Sequence, residues 1–161
     1  MIKVLFVCLG NICRSPLAEA IFNHKLKAQN LIDKFSSDSC GTSDYHIGEL
    51  PDERTLKCAK RNNIPIDHRG RQIHRVDIRE FQYIIAMDDS NKSNIQEQIK
   101  QSGLKHKKVF LMREFQSDPD HIDVPDPYYG NEDGFDLVYN ILDDSINSLL
   151  EHLKSEHKIF V

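Results

Sequence analysis

A chain of 161 residues that is 39% apolar is long enough to bury a core and too apolar to stay disordered. Its formal net charge of −4, without a dominant basic patch, argues against nucleic acid as a partner, and no apolar run approaches the roughly 20 residues of a membrane span. Met1-Ile2-Lys3 passes directly into a strand-like run rather than a secretory leader, so the chain is expected in the cytoplasm as one domain over residues 1–161, its four cysteines (Cys8, Cys13, Cys40 and Cys58) free of a disulfide scaffold.

The first element is a buried strand, Ile2 to Val7, a short apolar run. A helix follows from Ser15, read as its N-cap, to about Gln29, with Pro16 in the first turn and Leu17, Ala20, Ile21 and Ala28 on its apolar side. A short second strand covers Phe35 to Ser39. The polar loop from Cys40 to Gly48 carries two glycines, and a second helix runs from after Pro51 to about Arg61, ended by Asn63-Ile64-Pro65. Cys40 and Cys58 read as small buried hydrophobes.

An irregular basic stretch, His68 to Gln72, precedes a short helical turn between Val76 and Phe81. The third strand is Tyr83 to Met87, and Asp88-Asp89-Ser90-Asn91 offers N-caps for a helix that carries Ile95 and Ile99 and stops at Gly103. The fourth strand is Val109 to Met112, followed by a loop from Arg113 to Glu132 with three prolines. The last helix places Phe135, Val138, Ile141, Leu142, Ile146, Leu149, Leu150 and Leu153 at steps of three and four.

Alternating strands and helices predict an α/β fold, an open parallel sheet of about four strands with helices on both faces; the expected strand order is 2-1-3-4. Ligands of such sheets bind at the carboxyl ends of the strands. Cys8 to Arg14, Ser39, Tyr45, Asp88, Asp89 and Asp126 should therefore gather at one edge.

The stretch after the first strand carries the chemistry. Cys8 leaves a strand, Arg14 arrives just before a helix, and the five residues between can curl around a small anion. Leu9, Gly10, Asn11, Ile12, Cys13 and Arg14 would bind phosphate through inward N–H groups and the guanidinium. Such settings lower a thiol from about 8.5 to roughly 4–7 and make it a nucleophile. Gly10 and Asn11 fit the positive φ that a tight nest requires, and the Asn11 side chain can lock the loop. The Ser15 hydroxyl can donate to the Cys8 sulfur and help it leave. Competing readings are weaker. Zinc lacks a second ligand pair after Cys8 and Cys13, a dinucleotide fingerprint needs three glycines, and no Gly-Lys-Ser/Thr loop exists.

Val7-Cys8-Leu9-Gly10-Asn11-Ile12-Cys13-Arg14-Ser15-Pro16 resembles the catalytic loop of the low-molecular-weight protein tyrosine phosphatases. Asp126-Pro127-Tyr128-Tyr129-Gly130 resembles that family's general-acid loop, and Ala86-Met87-Asp88-Asp89-Ser90-Asn91 its acidic turn; order and spacing match over nearly the whole chain. The resemblance implies a phosphotyrosine phosphatase. In it Cys8 becomes a phosphocysteine, Arg14 clamps phosphate, and Asp126 protonates the leaving phenolate and then activates water. It further implies that Asn11, Ser15, Ser39 and His68 hold the loop, that Asp88 orients Arg14, and that Leu9, Ile12, Tyr45 and Tyr128 wall the substrate slot.

Chemistry supports these roles independently. An acid that protonates a leaving phenolate contributes about 10²–10⁴ in rate, and aromatic walls select aryl phosphates. Related arsenate reductases need a further cysteine pair, whereas no cysteine follows Cys58; arginine phosphatases of this fold carry threonine where this chain has Ile12. Cys13 is either a packing residue or, as the resemblance implies, the partner in a reversible disulfide with Cys8. Tyr128 and Tyr129 are open to phosphorylation. The expected protein is a monomer that needs no metal or cofactor and acts on phosphotyrosine proteins or peptides, a tyrosine kinase among the candidate partners.

Overall fold

The computed structural model describes residues 1–104, 107–116 and 122–160. Four parallel strands, β1 (Ile2–Cys8), β2 (Phe35–Gly41), β3 (Tyr83–Ala86) and β4 (Val109–Leu111), form one sheet in the order β2-β1-β3-β4. The expected architecture and strand order therefore hold. The helices are α1 (Arg14–Ala28), α2 (Glu53–Arg61), α3 (Arg75–Glu80), α4 (Asp89–Ser102) and α5 (Glu132–Glu156).

Strand alternation divides the core. Val4, Phe6, Cys8, Ile85 and Met87 face α1 and α5, where Leu17, Ile21, Phe22, Leu142, Ile146 and Leu149 pack against them. Leu5, Val7, Ile84 and Ala86 face the other way, against Ile78 of α3 and Ile95 and Ile99 of α4. Phe6 and Phe22 meet edge to face, their centroids 5.4 Å apart. With both faces covered, β1 is buried from Val4 onward, which is why its sequence is apolar without alternation. Cys40 and Cys58 are both buried, as expected.

Several boundaries differ from the sequence reading. Strand β2 extends through Cys40 and Gly41, which pair with Val7 and Cys8 although neither residue favours a strand. Beyond β4, Met112–Phe115 form a 3₁₀ turn instead of continuing the strand and opening a loop. The portion of the Arg113–Glu132 loop at 117–121, with Pro119, lies outside the described residues. Ile141 is only half-buried. Helix α1 begins one residue before Ser15, with Cys13 as N-cap and no side-chain cap. Ser15 is thus inside the first turn, where its hydroxyl is committed to the loop. Nor is α1 amphipathic throughout: it is buried on every side from Arg14 to Phe22, while Ala28 is exposed. Its first half runs between the sheet and α5, so no solvent face exists there for polar residues to mark.

Candidate active site

The residues that follow the strands meet at one sheet edge. A pocket there is lined by Cys8, Leu9, Gly10, Ile12, Cys13 and Arg14 from the first loop, by Tyr45 and His46 after β2, and by Asp126, Tyr128 and Tyr129 after β4. Asp88, after β3, reaches the same place through Arg14.

The loop from Cys8 to Cys13 is held from outside by its carbonyls. Cys8 O accepts from Thr42 N at 2.9 Å, Leu9 O from Ser43 N at 3.0 Å and Ser43 Oγ at 2.8 Å, and Ile12 O from Asp52 N at 2.8 Å. In a trans peptide the N–H points opposite to the carbonyl, and every described peptide bond is trans. The N–H groups of Leu9, Gly10 and Cys13 are therefore turned away from those outer partners. Gly41 permits the close approach: a Cβ there would stand 2.7 Å from Leu9 O.

Asn11 takes the expected positive φ, 58°. Gly10 does not; positive-φ glycines among the described residues are Gly48 and Gly103. What crowds position 10 is the side chain of His46, whose Cδ2 would lie 3.0 Å from an added Cβ.

Cys8 Sγ lies 3.0 Å from Ser15 Oγ and accepts from Asn11 N at 3.3 Å. The buried Asn11 amide donates to Ser15 Oγ at 2.8 Å and Ser39 Oγ at 3.0 Å. Its Oδ1 lies 2.7 Å from His68 Nε2 and accepts from Arg71 N at 3.0 Å. Ser39 Oγ is also 3.3 Å from His68 Nε2. Burial, only partly opposed by Asp38, pushes the His68 pKa down.

Arg14 is almost wholly buried. One terminal nitrogen donates to Asp88 Oδ2 at 2.7 Å and to Val124 O at 3.0 Å; the other stands 3.5 Å from Asp126 Oδ2. Burial works against its charge, but facing Cys8, Asp88 and Asp126 outweigh that and raise its pKa. Asp88 has a second use as N-cap of α4, where Oδ1 accepts from Asn91 N at 2.8 Å. One carboxylate thus joins the start of a helix to the guanidinium.

The Asp126 side chain is 37% exposed and accepts from Tyr128 N at 3.1 Å. Leu9, Tyr45 and Tyr128 form an exposed rim around the mouth, whereas Ile12 is buried in the wall. Cys13 shares the pocket; burial first, and then Asp52, pushes its thiol up to about 12.

The sequence reading missed four participants. Val124 holds Arg14 through its carbonyl, and His46 and Tyr129 line the pocket. Arg54 bonds Tyr128 O at 2.9 Å, Gly130 O at 3.1 Å and Asp52, and stacks on Phe135 at 4.6 Å. Only Arg54 had a local signal, since Asp52 two residues before it reads as an N-cap.

The chain was also compared with known proteins. A family model described as low molecular weight phosphotyrosine protein phosphatase matches residues 3–159. A Schizosaccharomyces pombe protein of that description is 46% identical over 150 residues, covering 92% of this chain and 95% of its own. Among solved structures, a protein tyrosine phosphatase from Entamoeba histolytica superposes with TM-score 0.88 at 38% identity, covering 98% of this chain and 99% of that one. A Drosophila arginine phosphatase superposes with TM-score 0.90 at 32% identity, covering 95% and 98%.

Proposed function

The chain belongs to the low molecular weight phosphotyrosine protein phosphatase family and is a protein tyrosine phosphatase, a phosphoric monoester hydrolase; from that premise we propose that it hydrolyses phosphotyrosine and small aryl phosphates through a phosphocysteine on Cys8. The observation that carries this reading is one pocket lined by a thiol, a buried guanidinium and a carboxyl: Cys8, Arg14 and Asp126. The phosphoryl oxygens sit against Arg14 and the N–H groups of Leu9, Gly10, Ile12, Cys13 and Arg14, while the Asn11 N–H holds the Cys8 sulfur; these donors match the charge spread over the oxygens in the transition state. Cys8 attacks phosphorus in line, and the phenolate leaves with the proton of Asp126. Water then attacks the phosphocysteine and gives its proton to Asp126, and the sulfur leaves toward the Ser15 hydroxyl. Inorganic phosphate is released. Asn11, Ser39 and His68 hold the loop in this shape, and Asp88 aims Arg14.

Arg14 and the peptide N–H groups supply the positive charge, so the reaction needs neither metal nor cofactor. The slot formed by Leu9, Ile12, Tyr45 and Tyr128 accepts a flat ring. An arginine phosphatase with TM-score 0.90 shows that the fold also serves a guanidinium substrate. The apolar Ile12 in the pocket wall offers no hydroxyl to such a group, which supports the aryl reading. The protein works as a cytoplasmic monomer, one phosphatase domain over residues 1–161, on phosphotyrosine-bearing proteins or peptides, a tyrosine kinase among them. No helix among the described residues is long and apolar enough to cross a membrane.

Asp126→Asn tests the acid. With a phenol of ordinary basicity as leaving group, kcat should fall about 10²–10⁴-fold, and with a strongly acidic phenol far less, because protonation no longer limits departure. A loss independent of the leaving group would remove Asp126 from this role.

Cys13 offers protection from oxidation. Peroxide converts the Cys8 thiolate to a sulfenic acid; the Cys13 sulfur attacks it, a disulfide forms and water leaves. A thiol held near pKa 12 resolves slowly at neutral pH and faster as pH rises. After peroxide treatment, added dithiol should restore wild-type activity but restore Cys13→Ser poorly. Equal recovery of the two proteins would refute the pairing.

A further inference from the structure

A proton donor works only when it is held within hydrogen-bonding reach of the oxygen it serves, yet Asp126 lies on a stretch, 124–131, that is neither helix nor strand. The bonds within that stretch are local: Gly130 N donates to Pro127 O at 3.0 Å, and Tyr128 N to Asp126 Oδ1 at 3.1 Å. They shape a turn without placing it over the pocket. Before Asp126 the chain is pinned at Val124, whose N–H donates to Met87 O at 2.8 Å and whose carbonyl accepts from Arg14. After Asp126, from Pro127 to Gly130, the hydrogen bonds that arrive from elsewhere among the described residues come from Arg54 of α2.

Arg54 is built for this. Nη2 donates to Tyr128 O at 2.9 Å and Nη1 to Gly130 O at 3.1 Å, while Nε and Nη2 also grip the Asp52 carboxylate at 3.0 and 2.9 Å. Four of the five N–H groups of a guanidinium are thereby engaged. Its face lies over the ring of Phe135, buried near the start of α5, with the centroid 4.6 Å away. Asp52 is fixed in turn. It caps α2 by accepting from Arg54 N at 2.9 Å, and its own N–H is the outer tether of the phosphate loop at Ile12 O. The bonds from Arg54 hold the Asp52 carboxyl below its ordinary range, so the anchor stays charged. A continuous link therefore runs from the loop that binds phosphate, through Asp52 and Arg54, to two carbonyls just beyond Asp126.

We propose that Arg54 is a positioning residue for the general acid: its bonds to Tyr128 O and Gly130 O hold the Asp126 carboxyl over the leaving oxygen of the substrate. This role rests on the reading of Asp126 as the acid. Arg54 does not line the pocket and acts through the main chain of the acid loop. As a half-exposed ion pair with Asp52 it contributes little to stability; its weight lies in geometry, since a misplacement of about 1 Å at a reacting group costs about 10²-fold in rate. Lysine is no substitute, because one ammonium cannot span a carboxylate and two carbonyls.

Arg54→Met, Asp126→Asn and the double variant should be compared on aryl phosphates of an ordinary and a strongly acidic phenol. Methionine keeps an apolar contact for Phe135, and Asp52 can still cap α2. In Arg54→Met, kcat with the ordinary phenol should fall about 10–10²-fold, kcat with the acidic phenol should hardly change, and inorganic phosphate should inhibit as in wild type. In the double variant Arg54→Met should add nothing to the loss from Asp126→Asn, because both act on one proton transfer. If Arg54→Met fails to fold, Arg54→Lys carries the same comparisons. A loss in Asp126→Asn that is independent of the leaving group would end the acid reading and the role of Arg54 with it. With that dependence present in Asp126→Asn, the role of Arg54 alone would be overturned by an unchanged kcat in Arg54→Met, by a loss equal for both phenols, by weakened phosphate inhibition, or by full additivity in the double variant.

Discussion

Cys8→Ser should abolish turnover while leaving the fold and phosphate binding in place. The substitution exchanges one atom at a buried position, and the contacts that hold the sulfur, Ser15 Oγ at 3.0 Å and Asn11 N at 3.3 Å, suit an oxygen as well. A hydroxyl beside no general base is not a nucleophile at neutral pH, whereas a thiolate is. The proposed mechanism has no alternative attacking group, so kcat should fall on the order of 10⁵–10⁶-fold, the scale seen when a covalent nucleophile is lost. Arg14 and the N–H groups remain, so phosphate should still bind. Rapid-quench analysis should find phosphate on cysteine in wild type and none in the variant. Turnover in the variant comparable to wild type would end the phosphocysteine mechanism.

Arg14→Lys should cost about 10³–10⁵-fold in kcat/KM, the range for a guanidinium that stabilises transferring phosphoryl groups. Lysine keeps the charge but loses the fork. In the structure one terminal nitrogen is engaged by Asp88 and Val124 O, and the other faces Asp126 across the pocket. A single ammonium cannot serve both sides. It would either stay with Asp88, leaving the phosphate unclamped, or turn to the phosphate and leave Asp88 and the Val124 carbonyl unpaired. Affinity for vanadate, which mimics the five-coordinate transition state, should fall more than affinity for phosphate. Equal losses would mean that Arg14 merely attracts anions.

The parallel sheet and the gathering of loops at one edge were legible because strand and helix signals alternate cleanly and because strand ends are where α/β folds place ligands. Cys8 and Arg14 were legible for the same reason: they lie six residues apart, between a strand and a helix. Partners distant in sequence were not. Asn11 and His68 are 57 positions apart, and Arg14 and Val124 are 110 apart; no local pattern links them, and the roles of Ser39 and His68 as holders of the loop entered through family resemblance alone. The reading of Ser15 as an N-cap failed because serine is equally at home as a hydrogen-bonding residue within a first turn. The assignment of Gly10 to positive φ failed because a glycine also serves where a neighbour, here His46, crowds the chain.

The outward tethering of the Cys8, Leu9 and Ile12 carbonyls has a consequence for how this architecture diversifies. If anion recognition is written in peptide groups and one arginine, the side chains at Leu9 and Ile12 are free to be rewritten without loss of the phosphate site. Leaving-group identity becomes a modular trait, altered by single substitutions on an unchanged main chain. Such a separation is compatible with a tyrosine phosphatase and an arginine phosphatase that each superpose on this chain, with TM-scores of 0.88 and 0.90. It also makes Ile12, rather than Cys8 or Arg14, the position from which a change of substrate class would start.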